Sequence, residues 1–173
     1  DCKIVYNDPR RFGFFEIVEN EEIIKKKFNH LGPEPFSFKY TLDYIYSKLR
    51  GKQKNIKSFL IDQSFVSGIG NIYASEILFV SRINPTKRGK NLNKNDCKKI
   101  LINSKKVLLE AIKKGGSSIK DFKNISGKNG GFQTKFKVYQ REGLKCKRMN
   151  CIGIIKKKSI SNRSTFFCNS CQK

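Results

Sequence analysis

The stretch from Phe59 to Phe79, and within it Gly68-Ile69-Gly70-Asn71-Ile72-Tyr73-Ala74-Ser75-Glu76, decides how the rest of the chain is read. It reads as a short helix, a tight turn built on the two glycines either side of Ile69, and a second helix opening at Asn71. Glycine lets the backbone bend where a Cβ would clash. Asn71 has the side chain of an N-cap, with an oxygen able to accept from an unpaired amide of the first turn. In the second helix Tyr73, Ile77 and Val80 fall on one face, extended by Ile72 and Phe79. A glycine turn feeding a helix N-terminus presents free amides and a positive dipole end, which suits a phosphate. An ordinary capped helix after a turn is the competing reading. Charge and cysteines tip the balance.

Lys and Arg number 37 against 14 acidic residues in 173, a formal net charge of +23. Self-repulsion on that scale costs folding energy, and a polyanionic partner is its natural counterweight. Nucleic acid leads, with an anionic membrane surface second. Compositional drift toward Lys, Asn and Ile inflates the charge but does not explain arginines in motif positions. No segment approaches the roughly 18 consecutive apolar residues of a membrane span. No signal peptide is visible. The chain opens on Asp1 without a Met, and the expectation is a fragment. Its length fits one sizeable domain or two small ones.

Asn7-Asp8-Pro9 is a turn signal, and the turn thrusts Arg10, Arg11 and Phe12 outward together. Such a cluster sets guanidinium groups on phosphates or base edges, with an aromatic wedge between stacked bases. A hairpin with Phe12 packed inward is the equal alternative. Phe14–Val18 reads as a strand and 20–30 as a short helix. Leu31-Gly32-Pro33-Glu34-Pro35 looks like a linker. Helices are expected over about 40–50 and 55–62. The longest runs from near Asn93 to Lys114, with Leu101, Leu108, Ala111 and Ile112 on its apolar side, ending at Gly115-Gly116. Ser126 to Gly131 is a glycine-rich polar loop. Alternation from Phe132 to Gln140 predicts a strand.

Cys146-x4-Cys151, then sixteen residues, then Cys168-x2-Cys171 is the strongest chemical signal. Two close pairs bring four thiolates to one tetrahedral zinc ion, and an all-cysteine site is closed, hence structural. The intervening residues suit a β-hairpin, Ile152–Lys158 out, a turn near Ser159–Asn162, and Ser164–Phe167 back. So short a segment cannot build a core alone, so metal supplies its folding free energy. Two disulfides or free thiols are the lesser alternative. Arg163, with Lys156, Lys157 and Lys158 across from it, makes a basic tip shaped for a nucleic-acid backbone. Cys2, Cys97 and His30 are given no role.

Four features in this order resemble the bacterial formamidopyrimidine-DNA glycosylase family: Asp8-Pro9-Arg10-Arg11-Phe12-Gly13, Leu31-Gly32-Pro33-Glu34-Pro35, Gly68 to Glu76, and the finger from Arg163 to Lys173. The resemblance spans essentially the whole chain. It implies a mainly α fold with small β: a helix–two-turn–helix domain over 31–135, a β-hairpin zinc finger over 136–173, and, over 1–30, the last strands of a β-sandwich domain. It implies removal of oxidised purines, 8-oxoguanine and formamidopyrimidines, and cleavage at the abasic site. By resemblance Arg10 fills the gap and pairs the orphaned cytosine, and Phe12 is wedged beside it. Lys57 and Asn71 match residues holding phosphates, Arg163 the finger arginine, and 126–131 the loop closing over the extruded base. The partner is double-stranded damaged DNA, met by a monomer in the cytoplasm. The first cysteine pair encloses four residues where many relatives have two, and Gly130-Gly131-Phe132 stands where an aromatic often precedes the Phe. The family's nucleophile is an N-terminal proline amine, followed by a glutamate. Pro9 is internal, its nitrogen an amide, so no catalytic residue is expected in this chain. A non-catalytic zinc-ribbon protein binding RNA or the ribosome is the alternative from a different class.

Overall fold

The computed structural model describes residues 4–6, 8, 11–117 and 130–173. In chain order these form α1 (Glu21–Phe28), α2 (Leu42–Leu49), α3 (Ile56–Leu60), α4 (Asn71–Ser81), α5 (Lys94–Lys113), β1 (Ile155–Ile160) and β2 (Arg163–Cys168). Short 3-10 turns cover Gly89–Asn91 and Phe132–Lys135. Among the described residues no helix is long and apolar enough to cross a membrane.

Every residue of α4 from Ala74 to Phe79 is buried, the polar Ser75 and Glu76 included, so this helix is enclosed nearly all round and belongs at the centre. On one side Ala74, Ile77 and Leu78 join a core with Ile45 and Leu49 of α2, Leu60 of α3 and Ile100 of α5. On the other, Phe79 packs with Val138, Ile155, Phe166 and Cys168 beneath the C-terminal hairpin. One helix thus carries two hydrophobic clusters, and its position fixes the hairpin against the helices.

Turn chemistry brings α3 to α4. Gly68 sits at φ +84, the left-handed conformation that a Cβ disfavours. The segment read as a linker is fastened onto this turn. Gly32 N–H donates to Gln63 O at 2.8 Å and Ser67 N–H to Pro33 O at 3.2 Å. A Cβ on Gly32 would lie 2.6 Å from the Phe65 carbonyl. The α5 helix opens on a capping box between Asn93 and Asp96. Its buried stripe is Cys97, Ile100, Ser104, Val107 and Ala111, one step round from the face expected. Ile112 is exposed, because the core meets α5 along the row that faces α4 and α2.

Two strand expectations fail. Phe14–Val18 forms no strand, and Phe14, Phe15 and Ile17 are exposed. A strand needs a neighbour to take its backbone hydrogen bonds, and none of the described residues supplies one. Residues 132–140 form a 3-10 turn and bends. Here the reason is Glu76. Its buried carboxylate accepts from Lys137 N at 3.0 Å, Val138 N at 3.0 Å and Tyr139 N at 2.9 Å. Three successive amides converging on one carboxylate cannot form a strand ladder. A row of ring contacts runs alongside, Tyr73–Phe132, Phe132–Phe136, Phe136–Tyr139 and Tyr139–Phe166, with centroids 5.1 to 5.8 Å apart.

In the hairpin β1 and β2 pair antiparallel with Ile160 opposite Arg163, so the loop is Ser161 and Asn162 alone. Both have positive φ, 52 and 56, as a type I′ turn requires. Replacing Glu76 by Gln should cost about 1–3 kcal/mol of stability, since charge-assisted bonds to buried amides become neutral ones. Urea denaturation checks this, and Glu76→Ala should cost more than Glu76→Gln.

Candidate nucleic-acid interface and metal centre

The hairpin tip lies over the mouth of the α3–α4 turn, and three polar contacts hold it there. Ser58 Oγ and Ser161 Oγ are 2.6 Å apart. Asn71 Nδ2 donates to Ser164 O at 2.9 Å. Lys57 Nζ lies 3.5 Å from Thr165 Oγ1. The same amine donates to Asn71 Oδ1 at 2.6 Å, Ser75 Oγ at 3.2 Å and Asn71 O at 3.3 Å. Residues more than ninety positions apart thus share one small polar seam.

Lys57 is fully buried, and all its partners are neutral oxygens. Desolvation disfavours the charged amine and pulls its pKa from 10.5 to about 7. A buried ammonium without a carboxylate is costly to the folded chain. An arriving anion would relieve that cost.

Asn71 is not the N-cap. Gly70 is, in extended conformation with no side-chain cap bond, and Asn71 is the first helical residue. The Asn71 amide is taken by Lys57 and Ser164, so the first-turn amides of α4 have no side-chain cap. A Cβ built on Gly70 meets nothing within 4 Å, so the helix mouth is open. Arg163 is exposed on β2, next to the Ser164 carbonyl that Asn71 holds. Three of the expected residues, Lys57, Asn71 and Arg163, are therefore brought together.

Arg10 lies outside the described residues, as do Cys2 and positions 126–129 of the glycine-rich loop. Phe12 stands 82% exposed. Asp8 accepts from Arg11 N at its carbonyl, at 3.1 Å, and from Gly13 N at its carboxylate, at 2.6 Å. Cys97 is wholly buried in the helical core.

The sulfurs of Cys146, Cys151, Cys168 and Cys171 all lie within 4.8 Å of one another. Cys146 and Cys171 are 3.9 Å apart, Cys151 and Cys168 3.7 Å. A disulfide would be about 2.0 Å, whereas four thiolates about 2.3 Å from a common tetrahedral centre stand roughly 3.8 Å apart. The longer first knuckle is accommodated by Asn150 at φ 60. Arg148 within it stacks over the Phe79 ring, 4.7 Å from the centroid, and donates to Phe79 O. The end of the chain is fastened too. Gln172 accepts from Cys168 N and donates to Ile83 O, both at 2.8 Å. Sequence reading missed Ser75, Thr165, Glu76, Arg148 and Gln172. Glu76 and Gln172 are buried polar side chains, which only packing reveals.

The profile described as the formamidopyrimidine-DNA glycosylase H2TH domain matches residues 31–123. Formamidopyrimidine-DNA glycosylase of Bdellovibrio bacteriovorus is 42% identical over all of this chain and 63% of its own length. That of Rickettsia bellii is 43% identical over 99% of this chain and 62% of its own. The chain therefore spans about three fifths of the curated relatives it matches. The MutM (Fpg) protein of Thermus thermophilus superposes with a TM-score of 0.85 at 34% identity, covering 95% of this chain and 62% of that one. Lactococcus lactis Fpg in complex with an abasic site containing DNA superposes at 0.86 and 33%, covering 96% and 60%.

The unfolded chain holds the Lys57 proton more tightly than the folded one, so stability rises with pH between about 7 and 10.5 and is lowest below 7. Compared with Lys57→Met, which lacks the amine, the wild type should gain roughly 2–3 kcal/mol between pH 6.5 and 9.5. Urea titrations of both proteins across that range measure it, and a constant difference would refute the assignment.

Proposed function

This chain belongs to the formamidopyrimidine-DNA glycosylase family, and from that premise we propose that it is the DNA-holding portion of a bifunctional glycosylase/AP lyase. The intact enzyme removes oxidised purines, 8-oxoguanine and formamidopyrimidines, and nicks the strand at the abasic site. The observation that carries this reading is the seam at which a buried, uncompensated lysine, an open helix N-terminus and a hairpin arginine converge. That is a set of donors for sugar–phosphate oxygens, with no carboxylate among the amine's hydrogen-bond partners in the described residues.

In this reading Lys57 and Asn71 grip backbone phosphates beside the extruded nucleotide. The phosphate supplies the negative charge that Lys57 lacks, and the bare amides at the start of α4 add dipolar attraction. Arg163 closes on phosphates from the hairpin side. Arg10 and Phe12 enter the space left in the duplex, one pairing the unpartnered cytosine and the other replacing lost stacking. Residues 1–30 end a catalytic domain, 31–135 form the helix–two-turn–helix unit and 136–173 the finger. The protein works as a monomer in the cytoplasm on nucleoid DNA.

The four-sulfur geometry fits zinc, held by Cys146, Cys151, Cys168 and Cys171. When bound, the ion neutralises thiolate charge and pins the two knuckles; the closed donor set leaves it no catalytic position. Arg148 then ties the fixed finger to Phe79 of α4, and Gln172 ties it to Ile83 just beyond that helix.

The reactive amine is not among these residues, since Pro9 offers only an amide nitrogen. The 173 residues alone should therefore hold lesion DNA without attacking it. Borohydride reduction in the presence of abasic duplex should trap no covalent complex, and a trapped adduct would overturn this assignment. The zinc-loaded chain should prefer abasic duplex over structured RNA in competition, with log affinity falling at about −0.9 per phosphate contact against log salt. An RNA preference would favour the zinc-ribbon alternative. One zinc per chain is expected by metal analysis, and a chelator that strips it should abolish duplex binding.

A further inference from the structure

Thr165 sits on β2 directly opposite Lys158, among exposed lysines, yet it is 0% exposed. It is buried because its side of the hairpin faces α3 and α4. A buried hydroxyl is costly unless its hydrogen bonds are made, and this one makes two. It donates to Arg163 O at 3.2 Å and lies within 3.5 Å of the Lys57 amine as acceptor. One hydroxyl therefore stands between the amine of the helical unit and the backbone of the hairpin arginine. Among the described residues it is the hairpin's one side chain bonded to that amine.

We propose that Thr165 is a positioning residue that couples the phosphate grip at Lys57 to the placement of Arg163. The inference rests on the DNA-holding reading above. The mechanism is cooperative hydrogen bonding. A fully charged ammonium polarises the hydroxyl it donates to, and a polarised hydroxyl donates more strongly in turn. A phosphate that reaches Lys57 holds its proton there. The Thr165 bond to Arg163 O then tightens and fixes the backbone from which the arginine reaches out. The ammonium has three hydrogens and four oxygens around it, Asn71 Oδ1 and O, Ser75 Oγ and Thr165 Oγ1, so the coupling requires an incoming phosphate oxygen to take the place of an Asn71 or Ser75 oxygen and leave Thr165 Oγ1 bonded. The residues contacting the amine from α4 and β2 are all neutral, so burial lowers its proton affinity with no carboxylate to oppose it, and only neutral acceptors favour the charged form. Loss of the Thr165 contact therefore removes an acceptor that favours the charged form.

The test uses the full zinc-loaded chain and an abasic-site duplex, with Thr165→Val, Thr165→Ser and Arg163→Ala singly, and Thr165→Val combined with Arg163→Ala. Thr165→Val should weaken binding about tenfold, Thr165→Ser should restore it to within about twofold, and Arg163→Ala should cost less in the Val background than alone. The pH at which binding falls off should move lower in Thr165→Val, a shift that a purely structural loss would not give. In the absence of DNA, the Lys57 side chain followed by 13Cε NMR should titrate lower in Thr165→Val than in wild type. Thr165→Ala serves the same comparisons if the valine protein is poorly folded by urea melt. Unchanged affinity and pH midpoint in the variants, or an equal Arg163→Ala penalty in both backgrounds, would overturn the inference alone. A wild-type chain without affinity for the abasic duplex would overturn the proposed function and this inference together.

Discussion

A lysine ammonium sealed among neutral oxygens is the constraint on which the rest of this structure turns. Lys57, on α3, is met by α4 and β2, and neither offers its amine a carboxylate. Folding places a cation where water cannot solvate it, and accepts a proton affinity lowered to about 7 as the result. Such a site is poor for stability and good for anions. An anion arriving there would regain what desolvation removed.

Holding that seam together requires the hairpin to sit accurately on α4, and two buried polar side chains achieve this. Glu76 gathers the amides of 137–139 and so sets the direction in which the chain leaves the helical core. Gln172 joins the second cysteine knuckle to the turn after α4. Between them the four sulfurs define the finger's base. These polar clamps add direction to the apolar packing of α4 beneath the hairpin. A charge-assisted bond to a buried amide has narrow geometry, and so gives direction as well as energy.

The large positive charge works on a different scale. Most of the lysines are exposed and screened beyond about 10 Å at moderate salt, so they attract a polyanion without choosing where it binds. The groups that are buried or held in one geometry at the seam are few: Lys57, the Asn71 amide and the backbone around Arg163.

Much of this was legible in the chain itself. The helices over 42–49, 56–60, 71–81 and 94–113, the two-glycine turn and the four-cysteine cluster all follow from periodicity, caps and spacing, which are local properties. The residues themselves mark Asn71, Arg163 and the cysteines as candidates for chemistry, while Lys57 is reached only through the family resemblance. Only tertiary structure decided that Asn71 would serve Lys57 and Ser164 instead of capping its own helix, because that choice depends on a strand some ninety residues away. It also decided that 132–140 would bend around Glu76 rather than extend, since alternation records which residues are apolar and not where a buried carboxylate lies. Local rules set each segment's preferences; long-range competition for hydrogen bonds selected among them.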